Sequence, residues 1–280
     1  MQSSPLLDLP PDKLLAIRRE LGPMQFANDA QERFFDSRSP EVLYSGAMGA
    51  GKSRILCEKA WHVALHNPGV TVGIFRKYAA SLAPTTERTF ERDVVQVQHL
   101  GSRNKSENWW QLRNGSRIYF MGLDPDPLTG VPSKVGSLDL AVAFVDEAVE
   151  LTEGDWIMLQ GRLRDPRLEW HQLGAATNPG PPTHWLYRRF MGADRSPERE
   201  VVMATAADNV LLPLDYRTRI ADLPDNAWGR RLGRGEWVAS EGMIYELPPD
   251  QVCDPDGPHK RVVAGLDWGF LHATACEVVG

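Results

Sequence analysis

Only three cysteines, Cys57, Cys253 and Cys276, occur in the 280 residues, and no two of them form a C-x-x-C pair. That scarcity argues against a disulfide framework and a cysteine zinc site, and it suits a reducing cytosol. No apolar run approaches the ~18 residues of a membrane span, and Met1 to Asp12 lacks a basic segment followed by an apolar one, so neither a membrane span nor a secretory leader is expected. Positive charge is also in short supply: 31 Lys and Arg stand against 37 Asp and Glu, a formal net charge of -6. With no global basic footprint, contact with nucleic acid must be local or coupled to a bound nucleotide. No Ser/His/Asp triad, histidine metal cluster, internal repeat or low-complexity tract is evident. What remains is an ordinary globular composition, 42% hydrophobic and 24% charged, long enough for one large domain or two.

The strongest local signal is Gly46-Ala47-Met48-Gly49-Ala50-Gly51-Lys52-Ser53, which fits G-x-x-x-x-G-K-[ST]. It follows an apolar strand expected over Val42 to Ser45 and opens a helix expected from Ser53 to about His66. Glycines leave room for backbone N–H groups to wrap a polyphosphate, Lys52 reaches the β and γ phosphates, and the Ser53 hydroxyl can ligate Mg²⁺. The pattern predicts a nucleoside triphosphate ligand.

Around this loop the chain alternates strand and helix. Asp12 to Leu21 and Phe26 to Phe35 have helical spacing, the second ending before Ser39-Pro40. After the loop helix, Asn67-Pro68-Gly69 turns the chain into a short buried strand, Val70 to Phe75. Trp109 to Leu112 and Arg117 to Met121 flank Asn114-Gly115, a hairpin signal expected at a sheet edge. Leu140 to Val145 and Gln172 to Thr177 read as further strands, ending at Asp146-Glu147 and Asn178-Pro179. Ligands of open α/β sheets sit outside the carboxyl ends of the strands, so Lys52, Asp146, Glu147 and Asn178 are expected to converge on one crevice. Residues 247–260 are rich in Pro and Asp and read as a linker, and Arg261 to Leu266 and Ala273 to Val279 as two strands beyond it.

Hydrolysis of a triphosphate needs a phosphate cradle, a divalent cation and a group that orients water. Asp146 can hold Mg²⁺ through its hydration shell and Glu147 can polarise the attacking water, a Walker B pair. The competing reading is a carboxylate pair at a helix N-terminus. Asn178 reads equally as a γ-phosphate sensor or as an Asn-Pro turn. Gln31 lies near enough to reach an adenine edge, with Phe26, Phe34 or Phe35 able to pack on the base, unless the segment is a plain amphipathic helix. Candidates for an added cation are Arg76, Lys77, Lys134, Arg162 and Arg164. Trp109-Trp110 through Arg113 can touch nucleic acid, although paired tryptophans on a hairpin more often pack.

Taken in order, these segments resemble the ATPase domain of the large subunit of tailed-bacteriophage terminases, the DNA-packaging motor. Gln31, GAMGAGKS (46–53), IFRKYAASL (74–82), NGSRIYFMGLD (114–124), AFVDEAVEL (143–151), LQGRLR (159–164), TNPGPPTHWLYRRF (177–190), DNVLL (208–212) and GEWVASEGMIYE (235–246) carry the resemblance, and AGLDWGFLHATACEVVG (264–280) is similar to the first hairpin of a ribonuclease H-like nuclease domain. The resemblance implies an α/β P-loop NTPase of the ASCE type, residues 1–247, with a mainly parallel sheet flanked by helices and a small lid or linker subdomain at about 205–247. A linker, 248–260, and an incomplete nuclease domain, 261–280, follow.

It further implies ATP and Mg²⁺ as cofactors, with nucleotide contacts from Gln31, the loop residues Gly46 through Ser53, and Arg54. Lys52, Glu147, Asn178 and Arg162 would be catalytic, with Thr177 and Asn178 coupling hydrolysis to movement. Ser53 and Asp146 would serve the ATPase metal and Asp267 a nuclease metal. The implied partners are double-stranded DNA, a portal protein, a small terminase subunit and further copies in a ring on the procapsid in the host cytoplasm, with no membrane. A DExx-type helicase or remodelling ATPase and a nucleotide-gated assembly module are the alternatives. Two departures stand out: Ala47, Met48 and Ala50 supply no basic residue inside the loop, and Lys134-Val135-Gly136 stands where some relatives place a trans-acting Arg. A two-metal nuclease needs several carboxylates. Asp267 alone stands in place, so DNA cleavage is not expected of these 280 residues.

Overall fold

Alternation of buried residues along each central strand organises the molecule. In this computed structural model, which describes residues 26–94, 101–125, 135–193, 195–239, 263–267 and 275–279, β1 (Glu41–Gly46) is buried along its whole length. Val42 and Tyr44 point into one apolar cluster and Leu43 into the other. The same split holds in β2 (Thr71–Arg76), where Val72 and Ile74 oppose Phe75, and in β6 (Val142–Asp146), where Val142 and Phe144 oppose Ala143 and Val145. A strand covered on both faces has no need of polar alternation, which is why these segments read as near-continuous apolar runs.

Helices α1 (Asp29–Asp36) and α2 (Lys52–His66) and short helical turns over residues 79–94 cover one face. Helices α3 (Glu153–Gln160) and α4 (Trp185–Met191) cover the other. With β3 (Gly101–Asn104), β4 (Trp109–Leu112), β5 (Arg117–Gly122), β7 (Gln172–Thr177) and β8 (Arg199–Ala204), the strands form one eight-stranded sheet in the order β3-β4-β5-β2-β6-β7-β1-β8. Strands β5 through β8 of that order run parallel, and β3-β4-β5 add an antiparallel edge. The expected hairpin therefore lies on the edge side, extended by β3. Neither β3 nor β8 is expected from the sequence, and both carry partly exposed residues that blur the strand signal.

One strand, β7, separates β1 from β6. Its register sets Thr177 opposite Ser45 and Ala176 opposite Asp146, so the loop and the acids leave the sheet at one level. With neighbouring strands about 4.8 Å apart, the two strand ends stand about 10 Å from one another, the scale of a triphosphate.

Helices α5 (Leu214–Ala221) and α6 (Ala227–Arg234) follow β8. The α6 residue Leu232 accepts a hydrogen bond from the Met48 amide (2.7 Å), so this segment packs directly on the loop. The chain divides into two units, residues 1–241 and 242–280. In the second, β9 (Val263–Asp267) pairs antiparallel with β10 (Ala275–Val279), Asp267 opposite Ala275. The helix expected over 12–21 and the linker expected over 248–260 lie outside the described residues.

Candidate functional site

Gly49 and Gly51 both adopt φ near 77°, the left-handed region that glycine enters without strain. Their turn feeds directly into α2, whose first N–H groups have no intrahelical partner and carry the positive end of the helix dipole. The loop carbonyls are held by polar groups. Lys52 Nζ donates to the carbonyls of Gly46 (2.9 Å) and Ala47 (2.6 Å). Asn209 Nδ2 donates to Gly49 O (2.6 Å), the Tyr44 hydroxyl to Ala50 O (3.0 Å) and Gln31 Nε2 to Gly51 O (2.9 Å). With the carbonyls so engaged, the amides at the start of α2 are left for an anion. The Ala47 and Met48 amides are committed to Ala204 O and Leu232 O, so phosphate donors fall to the later part of the loop. Arg54, half-buried, follows Ser53 in the first turn of α2.

Five expected residues meet across the sheet. Lys52 Nζ also donates to Asn178 Oδ1 (3.0 Å), and Asn178 Nδ2 faces Glu147 Oε1 at 3.3 Å. Ser53 Oγ donates to Asp146 Oδ1 (3.0 Å). Burial pulls the Lys52 pKa down to about 8, against the pull of Glu147 and Asp146. Burial and the charge of Asp146 raise that of Glu147, opposed by Lys52 and Arg76. Glu147 is also one of two non-glycine residues with positive φ among the described residues, 53°. Such a conformation costs on the order of 1–3 kcal/mol and concentrates at functional sites. It precedes the turn Ala148–Glu150, so the acids leave β6 through a kink and a 3₁₀ turn rather than the start of an α-helix.

Ser53 Oγ and Asp146 Oδ1 are hard oxygen donors on adjacent positions, a set that fits Mg²⁺ held jointly with phosphate oxygens. Among the described residues no cluster of three or more His, Cys, Asp or Glu side chains forms a self-sufficient metal cage.

Gln31 is almost fully buried, and its Oε1 accepts from the Ala27 amide (2.7 Å) while Nε2 holds Gly51. It acts on the loop backbone. Phe34 has no exposed surface and packs on Tyr44, so it is not available to a base; Phe35 packs on His62. Phe26 instead helps line a cleft of about 620 Å³ beside α1, with Asn28, Arg33, Met203, Asp208 and Val210.

The basic candidates separate by their partners. Arg76 pairs with Glu150 (2.9 Å) and Lys77 with Asp155 (2.8 Å), so both are committed within the fold. Arg164 pairs with Asp139. Arg162 is not brought to the acids: the amide of Leu140, before β6 begins, donates to the Arg162 carbonyl (2.8 Å), and Leu140 pairs with Leu163. Six residue steps of extended chain at ~3.3 Å each separate Leu140 from Asp146, about 20 Å, farther than an arginine reaches. Lys134 lies outside the described residues, and Asp267 ends β9 in the second unit. Trp110 is buried against Phe90 and Trp109 stacks near Tyr119 and Arg117, so the tryptophan pair packs.

Several contributors were not singled out in the sequence. Tyr44, Asn28 and Asn209 brace the loop, and Thr86 bonds Asp146. Trp237 Nε1 donates to Ser45 Oγ (2.9 Å) and its ring packs near Gly180, His184 and Tyr187. Asn209 and Trp237 fall inside segments of the family resemblance, which was the available pointer to them.

Comparison with known proteins bears on this geometry. The family described as phage terminase large subunit matches residues 38–228. Among solved structures, the large terminase of a thermophilic bacteriophage superposes with a TM-score of 0.68 at 18% identity, covering 91% of this chain and 65% of that one. The same protein in complex with ADP gives 0.64 at 17%, covering 90% and 64%. The ATPase domain of the Thermus phage P74-26 large terminase gives 0.53 at 15%, covering 82% and 100%. The chain thus spans just under two thirds of the first of these relatives. No curated protein matches it.

Proposed function

Because the chain belongs to the phage terminase large-subunit family, we propose that it is a Mg²⁺-dependent ATPase that couples hydrolysis to movement of double-stranded DNA into a procapsid. The observation that carries this reading is the convergence of Lys52, Ser53, Asp146, Glu147 and Asn178 at the ends of β1, β6 and β7. The ADP complex of a structural relative supports nucleotide as the ligand.

In this reading the amides at the start of α2 and the Lys52 ammonium hold the β and γ phosphates, releasing Lys52 from the loop carbonyls. Ser53 and Asp146 hold Mg²⁺, which when bound neutralises charge building on the phosphates. Glu147 takes a proton from the attacking water, and its raised pKa makes it a stronger base than an exposed glutamate. Asn178 contacts both Lys52 and Glu147, so loss of the γ phosphate changes both of its partners at once. Thr177 Oγ1 accepts from the Val149 amide and donates to Asn178 O, which ties that change to the turn after Glu147. Gly180, two residues on, lies against Val149 and Trp237, and this path is our candidate for coupling.

The cleft beside α1 is assigned to the base, with Gln31 supporting the loop behind it. The added cation comes from a neighbouring copy in a ring, since Arg76 and Lys77 are committed and Arg162 sits at the far end of β6. A portal and a small terminase subunit complete the proposed assembly in the host cytoplasm. Asp267, at the end of β9, is assigned as the first carboxylate of a nuclease hairpin.

The test is ATP hydrolysis with and without DNA, portal and procapsid, for the native chain, Lys52→Ala and Glu147→Gln. Lys52→Ala should abolish nucleotide binding, and Glu147→Gln should keep binding while turnover falls on the order of 10²-fold or more. Turnover in Glu147→Gln equal to native, or strand displacement without packaging, contradicts the proposal.

A further inference from the structure

Thr86 lies sixty residues before Asp146, outside every motif, yet it is fully buried and its Oγ1 donates to Asp146 Oδ2 at 2.7 Å. The other carboxylate oxygen, Oδ1, accepts from Ser53 Oγ at 3.0 Å. A carboxylate held at one oxygen can still rotate about its Cβ–Cγ bond, and a second bond from the opposite side stops that rotation. We propose that Thr86 is a positioning residue that fixes the Asp146 carboxylate so that Oδ1 stays turned toward Ser53 and a divalent cation bound with nucleotide.

The surroundings of Thr86 suit that role. Its carbonyl accepts from Cys57 Sγ (3.7 Å), which ties the turn Ala83–Glu87 to α2 one helical turn beyond Ser53. Thr85 accepts from Arg76 (3.0 Å), and Arg76 pairs with Glu150 in the turn that follows Glu147. One short segment therefore braces Asp146 directly and the Glu147 turn through an arginine. The β-branched threonine holds its hydroxyl in few rotamers. Partners that orient a metal-binding carboxylate typically change metal affinity 10–100-fold when removed. A buried hydroxyl serving the fold alone affects stability without that selectivity.

The inference rests on the proposed Mg²⁺–nucleotide site, and the experiment separates the two. Mn²⁺ binding to the full chain in the presence of ADP is followed by electron paramagnetic resonance for the native protein, Thr86→Val and Thr86→Ser, and ADP affinity is measured separately in EDTA. Thr86→Val should raise the Mn²⁺ dissociation constant about tenfold, with metal-free ADP affinity changed by less than about twofold and Thr86→Ser close to native. If Thr86→Val does not fold, Thr86→Cys, a weak donor of similar size, should show the same selective loss. Native Mn²⁺ affinity in Thr86→Val or Thr86→Cys overturns the inference alone. So does an equal loss in Thr86→Ser, or a parallel fall in metal-free ADP affinity. A native chain that binds neither ADP nor Mn²⁺ overturns the proposed site and this inference together.

Discussion

Lys59→Met removes an amine that is 1% exposed and joins α1 to α2. Lys59 Nζ donates to Phe34 O and Ser37 O, both at 2.8 Å, at the C-terminal end of α1. Burial and the nearby Arg38 pull its pKa from 10.5 down to about 7, against the attraction of Glu200 and Asp36. Keeping the charge in the fold at low pH therefore costs about 5 kcal/mol. Between the two pKa values the unfolded chain carries a proton that the folded one has released, so this contribution to stability grows as pH rises and is lost as pH falls through about 7.

From about pH 6.5 to about pH 9.5 the gain is about 3 kcal/mol. The neutral amine still has two N–H donors, one for each carbonyl. Methionine has none, and two under-satisfied carbonyls cost about 1–3 kcal/mol each. The Ser37 carbonyl keeps a weaker donor in Gln172 Nε2 (3.3 Å). At about pH 6.5 the lost bonds and the relieved charge nearly cancel, whereas at about pH 9.5 only about 1–2 kcal/mol of the charge cost is left to offset the lost bonds. Urea denaturation should thus find the variant close to native at the lower pH and about 3 kcal/mol less stable at the higher one. Stability curves that stay parallel across that range would refute the reasoning.

Glu147→Gln should melt higher than native near neutral pH, because burial and Asp146 disfavour the ionised acid. That gain should vanish as pH falls below the ordinary 4.5, where both folded and unfolded glutamate are protonated; a gain that persists in acid counts against it. Burial alone would raise the Glu41 pKa, but hydrogen bonds from Arg189, Trp156 and Arg199 and the charge of Arg189 outweigh it and hold it below 4.5. Its stabilisation is present above that value and is lost on acidification. Glu41→Ala should cost about 3–5 kcal/mol in calorimetry or denaturant titration, since two arginines and an indole lose their acceptor; a loss below about 1 kcal/mol contradicts the buried pairing. Trp237→Phe keeps a ring beside Gly180 but loses the bond to Ser45 Oγ, for about 1 kcal/mol and a melting point lower by about 2–4 °C. An unchanged melting temperature would mean that this bond carries no weight.

The glycine-rich loop, the acids after β6 and Asn178 were legible as neighbours because each sits at the carboxyl end of a strand, where residue type and spacing are read locally. The hairpin at Asn114-Gly115 was legible for the same reason: a local turn preference needs no distant partner. Strand β8 was not, because Arg199–Ala204 is half-exposed and polar at its start, and only pairing with β1 makes it a strand. Arg162 illustrates the opposite failure. Its sequence neighbourhood follows the family pattern, but the pairing of Leu140 with Leu163 sets it at the amino end of β6, away from the acids.

The sequence by itself determined which groups stand at the proposed phosphate, metal and water positions, because those choices depend on residue chemistry and on local backbone freedom. Tertiary structure decided how they are held: Gln31 on Gly51, Asn209 on Gly49, Thr86 on Asp146 and Trp237 on Ser45. Those partners are ordinary polar residues 20 to 192 positions apart, and no periodicity or motif connects them. Their meeting is fixed by the sheet order, which sets β7 between β1 and β6, and by the need of every buried polar group for a partner.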